Sequence, residues 1–356
     1  MGGNVILGGE SAERIDLRQV DRKRVVFEIR KGLQSLSEHF KMRSGQDLWC
    51  SELLESCQFL SGSALHLFNL DGISDSEFVK YKPTVGDIDT QVDETQKESI
   101  DLFLSSLPVG FCIDTLTFLG FKRTDQFVTL WKLIDPAINV QIDLELVAFD
   151  SGRPTAWSQF SHSSSWEDIK EGIKGVFQKY LLRSFQARNA RRVIIQPKTS
   201  RGKEKILVKS EFAFSLKGLR RSLEPITDEQ GTPIVRDDLP VYRELDSVGA
   251  DYITDFDILF LRFFGVYGWN HEKEQMKSFV GIVRLMQQYL TKEDQKKVID
   301  RFADLLWLKG AQRLARGNPA ADYEAKIVAF RYLTEHLGED VAHYQSSIDA
   351  YYQDYK

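Results

Sequence analysis

The stretch Lys82-Pro-Thr-Val-Gly-Asp-Ile-Asp-Thr-Gln-Val-Asp93 ("KPTVGDIDTQVD") places three carboxylates in a run that otherwise alternates like a β-strand. Side chains two apart on a strand share a face. A strand over 85–92 therefore points Asp87 and Asp89 to one side, with Val85 at its start, and turns Ile88 and Val92 toward a core. Two like charges side by side need a counter-charge. A divalent cation with oxygen ligands supplies it, and Mg²⁺ is commonly held by one or two carboxylates together with substrate phosphates. The bland alternative is a solvated strand end beside a turn.

A second acidic pair lies downstream. In "VQIDLELVAF", Asp143 and Glu145 share one strand face, and Ile142, Leu144 and Leu146 share the other. Acidic faces on two strands of one sheet can converge on a metal pair. Asp143 ranks first as the third ligand and Glu145 second. Asp93 reads as the cap of the next helix rather than as a ligand. Asp255 and Asp257, two apart in a helical context, do not share a face.

Working outward, residues 19–41 carry Val26, Ile29, Leu33, Leu36 and Phe40 at helical spacing. Residues 47–60 read as a second helix. "LSGSALHLFNL" reads as a Gly-Ser turn followed by a short apolar helix, 70–84 as a loop, and 93–107 as a helix. Three runs, 111–120, 126–135 and 139–150, follow with short turns and predict an antiparallel meander. Residues 151–165 read as a loop. Residues 165–189 read as one helix capped at Ser165 and weakened by two glycines. "RRVIIQP" and "KILVKSEFAFSL" flank "KTSRGKE" as a hairpin, and 221–250 is loop-rich. From about 251 the pattern is helical: 251–265, 272–290, 292–316, 319–337 and 339–355. Leu305, Trp307, Leu308 and Phe330 read as core.

The whole is an α+β chain with three expected parts: a core over 1–155, a basic helix and hairpin extension over 156–250, and an all-helical part over 251–356. Its 356 residues, 42% apolar and 28% charged, suit a globular protein. Cys50, Cys57 and Cys112 form no C-x-x-C pair, which fits a reducing compartment and argues against structural zinc. The opening residues lack a basic-then-apolar signal pattern, and no apolar run reaches the ~18–20 residues that span a bilayer. The expectation is a cytoplasmic protein with no membrane partner. No H-E-x-x-H, P-loop G-K-[ST] or G-x-S-x-G occurs, which removes zinc proteases, P-loop ATPases and α/β-hydrolases.

Charge is uneven. Residues 188–221 hold eleven Lys or Arg against Glu204 and Glu211, a net of +9 in a chain whose total is −5, so the remainder carries −14. Such a block reads as a footprint for a phosphate backbone or a triphosphate. Lys209 and Lys217, on or beside an apolar strand, are the candidates for triphosphate contacts. Arg191, Arg192 and Arg201 are the candidates for nucleic acid.

Taken in order, "FLSGSALHLF", "KPTVGDIDTQVD" and "VQIDLELVAF" resemble the polymerase-β-like nucleotidyltransferase superfamily. That pattern is Gly-Gly or Gly-Ser, a short helix, Asp-x-Asp on a strand and a third acid on a later strand; Gly62-Ser63, Asp87-Ile88-Asp89 and Asp143 match it. The "SGSALHL" turn is similar to that of the AbiEii-type nucleotidyltransferases, some of which are toxins of toxin–antitoxin pairs. The resemblance covers roughly residues 58–150. It implies a mixed sheet flanked by helices, and transfer of a nucleoside monophosphate from a triphosphate such as ATP. Two Mg²⁺ ions, with Mn²⁺ as the alternative, would be held by Asp87, Asp89 and Asp143, while Gly62 and Ser63 would meet the phosphates and the helix after them would aim its free N–H groups at them. An RNA acceptor, for instance a tRNA 3′ end, is the first expectation; a protein hydroxyl, a small molecule, or a non-catalytic protein keeping the fold are the alternatives. The sequence leaves the oligomeric state open. One departure stands out: Ser63 and Asp87 are 24 positions apart, so "NLDGISDSEFVKYK" must loop out if turn and acids are to meet.

Overall fold

The computed structural model describes residues 6–7, 10–11, 14–69, 72–197, 203–246, 251–314 and 318–353. The chain is α+β and divides into two compact units, Met1–Lys170 and Glu171–Lys356. No described helix is long and apolar enough to cross a membrane.

The first unit is built on a five-stranded mixed sheet. Asp87–Asp93 lies beside Ile138–Val147, followed in order by Phe127–Leu133, Leu116–Arg123 and Cys112–Ile113. The three central strands form the expected meander. Asp87–Asp93 joins it parallel to Ile138–Val147, in a register that sets Asp87 opposite Gln141, Asp89 opposite Asp143 and Gln91 opposite Glu145. A parallel partner needs a long connection. Here the Lys97–Ser106 helix and the strands Cys112–Ile113, Leu116–Arg123 and Phe127–Leu133 supply it.

Apolar side chains close one face of this sheet. Ile88, Val92, Ile142 and Leu144 are buried in one core with Val26, Ile29, Leu33, Leu36 and Phe40 of the Arg22–Ser44 helix. That helix begins where Asp21 accepts from Arg24 N and ends at Gly45, as capping chemistry requires.

Several local expectations need correction. The second helix spans only Ser51–Ser56, because Phe59–Ser61 is taken up as an extended edge beside Asp87–Asp93: Gln91 N donates to Phe59 O at 2.6 Å and Ser61 N to Asp89 O at 3.0 Å. The 70–84 loop contains an Asp75–Tyr81 helix, capped by Ser74 Oγ on Glu77 N. The 151–165 loop contains an Ala156–Ser161 helix capped by Thr155. The 165–189 helix is two, Trp166–Lys170 and Gly175–Asn189. Gly172 separates them at φ +71°, a left-handed conformation that no continuing helix tolerates.

In the second unit, Arg191–Gln196 pairs antiparallel with Lys205–Lys209, as the hairpin reading expects. "KILVKSEFAFSL" is not one strand, since Phe212–Ser215 belongs to a separate sheet with Gly218–Arg221 and Tyr252–Ile253. The segment read as loop-rich supplies Leu239–Glu244, which runs parallel to Arg191–Gln196. This strand also pairs locally with Val235–Arg236 across a turn at Asp237 and Asp238, both at positive φ, and with Leu223–Pro225. Helices Phe256–Phe264, Asn270–Gln275, Phe279–Tyr289, Lys292–Trp307, Pro319–Leu337 and Gln345–Gln353 follow. The 292–316 helix therefore stops at Trp307. Trp307 and Phe330 are buried, but Leu308, the extended cap residue, is 50% exposed and not core. Buried Lys326 sits 3.3 Å from Asp322 and donates to Leu306 O, closing the end of that helix.

Arg22 is the residue on which the local geometry of the first unit turns. The residue is 3% exposed, and its guanidinium donates to the carbonyls of Leu67, His66, Asn69 and Ile73 at 2.6–3.0 Å, and to Asp75 at 3.1 Å. It lies over the Phe78 ring, 4.7 Å from the centroid. One cation thus satisfies the end of the Ala64–Phe68 helix and ties it to the Asp75–Tyr81 helix. Arg22→Ala strands several buried carbonyls. It is expected to destabilise the first unit by about 3 kcal/mol or more, read as a shift in its urea midpoint, whereas Arg24→Ala, at a half-exposed pair with Asp135, should cost under about 1 kcal/mol.

Candidate metal centre

Asp87, Asp89 and Asp143 come together. Each offers a carboxylate oxygen, and these atoms lie within 4.8 Å of one another. The parallel register explains this directly. Asp89 and Asp143 are cross-strand neighbours, and Asp87 follows on the same face. Asp143 is 1% exposed, while Asp87 and Asp89 are half-buried.

The surroundings do little to neutralise them. Among the described residues none of the three has an ion pair. Asp143 accepts from Gln126 Nε2 at 3.1 Å and from Gln141 Nε2 at 2.9 Å. Asp87 Oδ2 and Asp89 Oδ1 are buried without a hydrogen-bond partner. A buried orphan oxygen is costly, and two of them face into one acidic cluster. Hard cations take such all-oxygen sets, so these residues fit a divalent metal ion.

The carboxyl groups respond accordingly. Burial first, then the neighbouring Asp87, Glu145 and Asp143 charges, push Asp89 well above its ordinary value. Burial raises Asp87 too, with Glu145 adding to the rise and the Lys82 and Arg14 charges opposing it. Asp143 is pushed up to about 7, by burial and then by Asp87.

Glu145 lies one pair further along. Its Oε2 accepts from Ser61 Oγ at 2.6 Å. That bond holds Glu145 as a support for the turn, and the cluster of three forms without it. Asp93 is the cap it was read as, accepting from Thr95 N and Oγ1.

The Gly62-Ser63 turn does meet the acids, although the insert between them contains a helix rather than a bare loop. Gly62 adopts φ +55°, and a Cβ there would lie 2.4 Å from Asp89 Oδ2. Its missing side chain makes room for the Asp89 carboxylate. Its own N–H is donated to His162 O at 3.0 Å, which anchors the turn. Ser63 precedes the Ala64–Phe68 helix and makes no side-chain cap bond. Five residues give this helix little dipole. His66 is a packed residue: Nε2 donates to Ser164 O, its ring lies against Trp166, and burial lowers its pKa.

The basic candidates belong to the second unit. Arg191 and Arg192 are exposed on their strand, and Arg191 donates to the Tyr242 hydroxyl. Lys209 is paired with Glu244. Lys217 is exposed beside Gly218. Lys198 and Arg201 lie outside the described residues. The reading of the sequence missed Arg22, Gln126, Gln141 and Ser61. Only the i, i+2 spacing of Gln141 and Asp143 was visible as a signal.

Comparison of the chain with protein-family models, with curated proteins and with solved structures finds no match.

Stability should report the crowded charge. A folded-state pKa above the ordinary 3.8 means that between pH 3.8 and about 7 the folded protein binds more protons at Asp143 than the unfolded chain does. That contribution is complete below the lower value and lost as pH rises through the upper one. Metal-free protein is therefore expected to lose stability across this window, and Mg²⁺ to reduce the loss. In EDTA at pH 8, Asp89→Asn should raise the melting temperature by about 3 °C or more, with a smaller gain at pH 4.5. A melting temperature lowered equally at both pH values would contradict the like-charge account.

Proposed function

We propose that this chain is a metal-dependent nucleotidyltransferase of the polymerase-β-like kind, transferring a nucleoside monophosphate from a triphosphate to a hydroxyl. The observation that carries the reading is the convergence of Asp87, Asp89 and Asp143 within 4.8 Å of one another, with Gly62 packed on Asp89. The Gly-Ser turn, the Asp-x-Asp strand and the third acid on a parallel neighbour then occupy one place.

The three aspartates would hold divalent ions. Ions bound there supply charge neutralisation at the transferred phosphoryl group and lower the pKa of the acceptor hydroxyl. The protein's own work is positioning. Asp87 and Asp89 fix the triphosphate side, and Asp143, steadied by Gln126 and Gln141, fixes the acceptor side. Ser63 Oγ stands at the turn to donate to a phosphate oxygen. In the transfer, the acceptor oxygen bonds to the α-phosphorus as the bond from that phosphorus to the bridging oxygen breaks. Pyrophosphate departs with the bonding pair, and the hydroxyl proton leaves to solvent.

RNA is the proposed acceptor, supported by the basic Arg191–Lys209 hairpin, where Arg191, Arg192 and Lys205 are exposed. Incubation with each labelled nucleoside triphosphate, Mg²⁺, and total RNA or protein tests the reaction. Asp87→Asn and Asp89→Asn should each abolish labelling with the fold retained; full activity in both would remove the metal assignment. Gly62→Ala, strained at positive φ and forced against Asp89, should lower transfer by about 100-fold or more.

RNA affinity should fall steeply between 50 and 200 mM salt, and Arg191→Glu with Arg192→Glu should flatten that slope. Labelling of a protein with no RNA affinity at low salt would transfer the acceptor role to a protein hydroxyl.

A further inference from the structure

Two large aromatic side chains of the second unit stand in solvent on one short loop. Tyr267 and Trp269 are each 74% exposed, whereas Trp49, Trp131, Trp157 and Trp307 are buried. Rings of this size gain by burial, and two of them on one loop mark a contact surface.

The loop is firmly held. It starts at Gly265, where the Phe256–Phe264 helix ends. Gly268, between the two aromatics, lies so close to Phe260 that a Cβ on it would come 2.7 Å from the ring. Trp269 N donates to Glu272 Oε2 at 2.8 Å, and Trp269 O accepts from Glu272 N and Lys273 N, both at 3.0 Å. Buried Glu272 is held in turn by Gln288 and the Tyr289 hydroxyl, and Tyr289 packs edge-on against Phe260. The backbone of Trp269 is thus fixed while its ring is left in water, so a ligand that stacks there has little chain to order.

Cations adjoin the loop. Arg188 Nη1 and Asn189 Nδ2 both donate to Arg262 O, at 3.2 and 2.8 Å, and a Cβ on Gly265 would lie 3.1 Å from Arg188 Nη2. These contacts set the start of the loop against the start of the basic run, which continues into exposed Arg191 and Arg192. Arg188 is paired with Asp294 and Lys273 with Asp257. Exposed Arg262, 4.4 Å from the Phe212 ring centroid, and Arg192 have no acidic partner among the described residues. Val266 is the loop's one aliphatic side chain, and Asn270 and His271 beside Trp269 are polar and exposed. A protein-docking face would surround such rings with apolar surface. Exposed rings beside unpaired arginines suit a single-stranded nucleic acid, whose bases stack on aromatics while its phosphates track cations.

We propose that Tyr267 and Trp269 are stacking platforms for unpaired bases of a single-stranded RNA whose phosphates lie along Arg262 and Arg192. This rests on the reading of RNA as the acceptor and narrows it to an unpaired segment, since bases inside a duplex stack on one another and offer no free face.

The test uses the full chain and a labelled oligouridylate, which forms no duplex with itself, followed by fluorescence anisotropy at about 50 and 200 mM salt. Y267A/W269A should weaken binding by about tenfold or more at both concentrations and leave the salt slope unchanged, because no phosphate contact is lost. R192E/R262E should flatten the slope. Y267F/W269F, which keeps the rings, should stay within about threefold of wild type. Duplex RNA of like length should bind equally to wild type and Y267A/W269A. Tryptophan emission should change on binding in wild type and not in W269F, since Trp269 is the most exposed of the six tryptophans. Both rings stand in solvent, so the variants should melt within about 2 °C of wild type. Undiminished oligouridylate binding in Y267A/W269A, with RNA still labelled from the triphosphate, overturns the platform alone. Self-association lost in Y267A/W269A by light scattering, with RNA binding unchanged, assigns the rings to a second copy and overturns it as well. A wild-type chain that does not bind oligouridylate overturns the platform, and if it also fails to label RNA the acceptor reading falls with it. Ring-dependent binding without any labelling upholds the platform and removes the transfer reading.

Discussion

Three carboxylates forced together in a poorly hydrated place are the constraint around which the first unit is arranged. Left to itself, a folding chain avoids such an arrangement, because burial and mutual repulsion both disfavour the ionised forms. It persists here because the backbone over-determines it. Asp87–Asp93 is hydrogen-bonded on one side to Ile138–Val147 and on the other to Phe59–Ser61. The opposite face of both strands is anchored in the apolar core through Ile88, Val92, Ile142 and Leu144. A one-residue slip would turn the aspartates into that core and the isoleucines out.

The turn before the acids depends on the same ladder. Ser61 is bound twice, its N–H to Asp89 O and its hydroxyl to Glu145. Gly62 must then fold back at positive φ beside the Asp89 carboxylate. The short helix that follows is held at its far end by Arg22, which takes up its last carbonyls and reaches the next helix. The insert that separates the turn from the acids in sequence is thereby packed as structure. Arg22 holds Ile73 and Asp75, and Ser74 caps the Asp75–Tyr81 helix.

Much of the core was legible from pattern. The apolar stripe of the Arg22–Ser44 helix, the three meander strands and the two acidic faces follow from periods of 3.6 and 2. Other segments were misread. Phe59–Ser61 is extended because it exchanges hydrogen bonds with the distant Asp87–Asp93 strand, and Leu239–Glu244 is fixed by the distant Arg191–Gln196 as well as by its own hairpin. Asp75–Tyr81 and Ala156–Ser161 are short helices whose apolar sides are too few to show a period. The basic block was visible as charge, but charge alone does not distinguish a lysine held by Glu244 from one open to a ligand.

The sequence by itself determined the identity and facing of Asp87, Asp89, Asp143 and Glu145, because alternation along a strand is a local property. Tertiary structure decided which of the last two joins the cluster. Parallel register sets Asp143 beside Asp89 and leaves Glu145 one pair on, bonded to Ser61. It also decided that Gly62 makes room for the Asp89 carboxylate. Those relations join residues far apart along the chain, and pairing between strands and the packing of side chains, not local periodicity, create them.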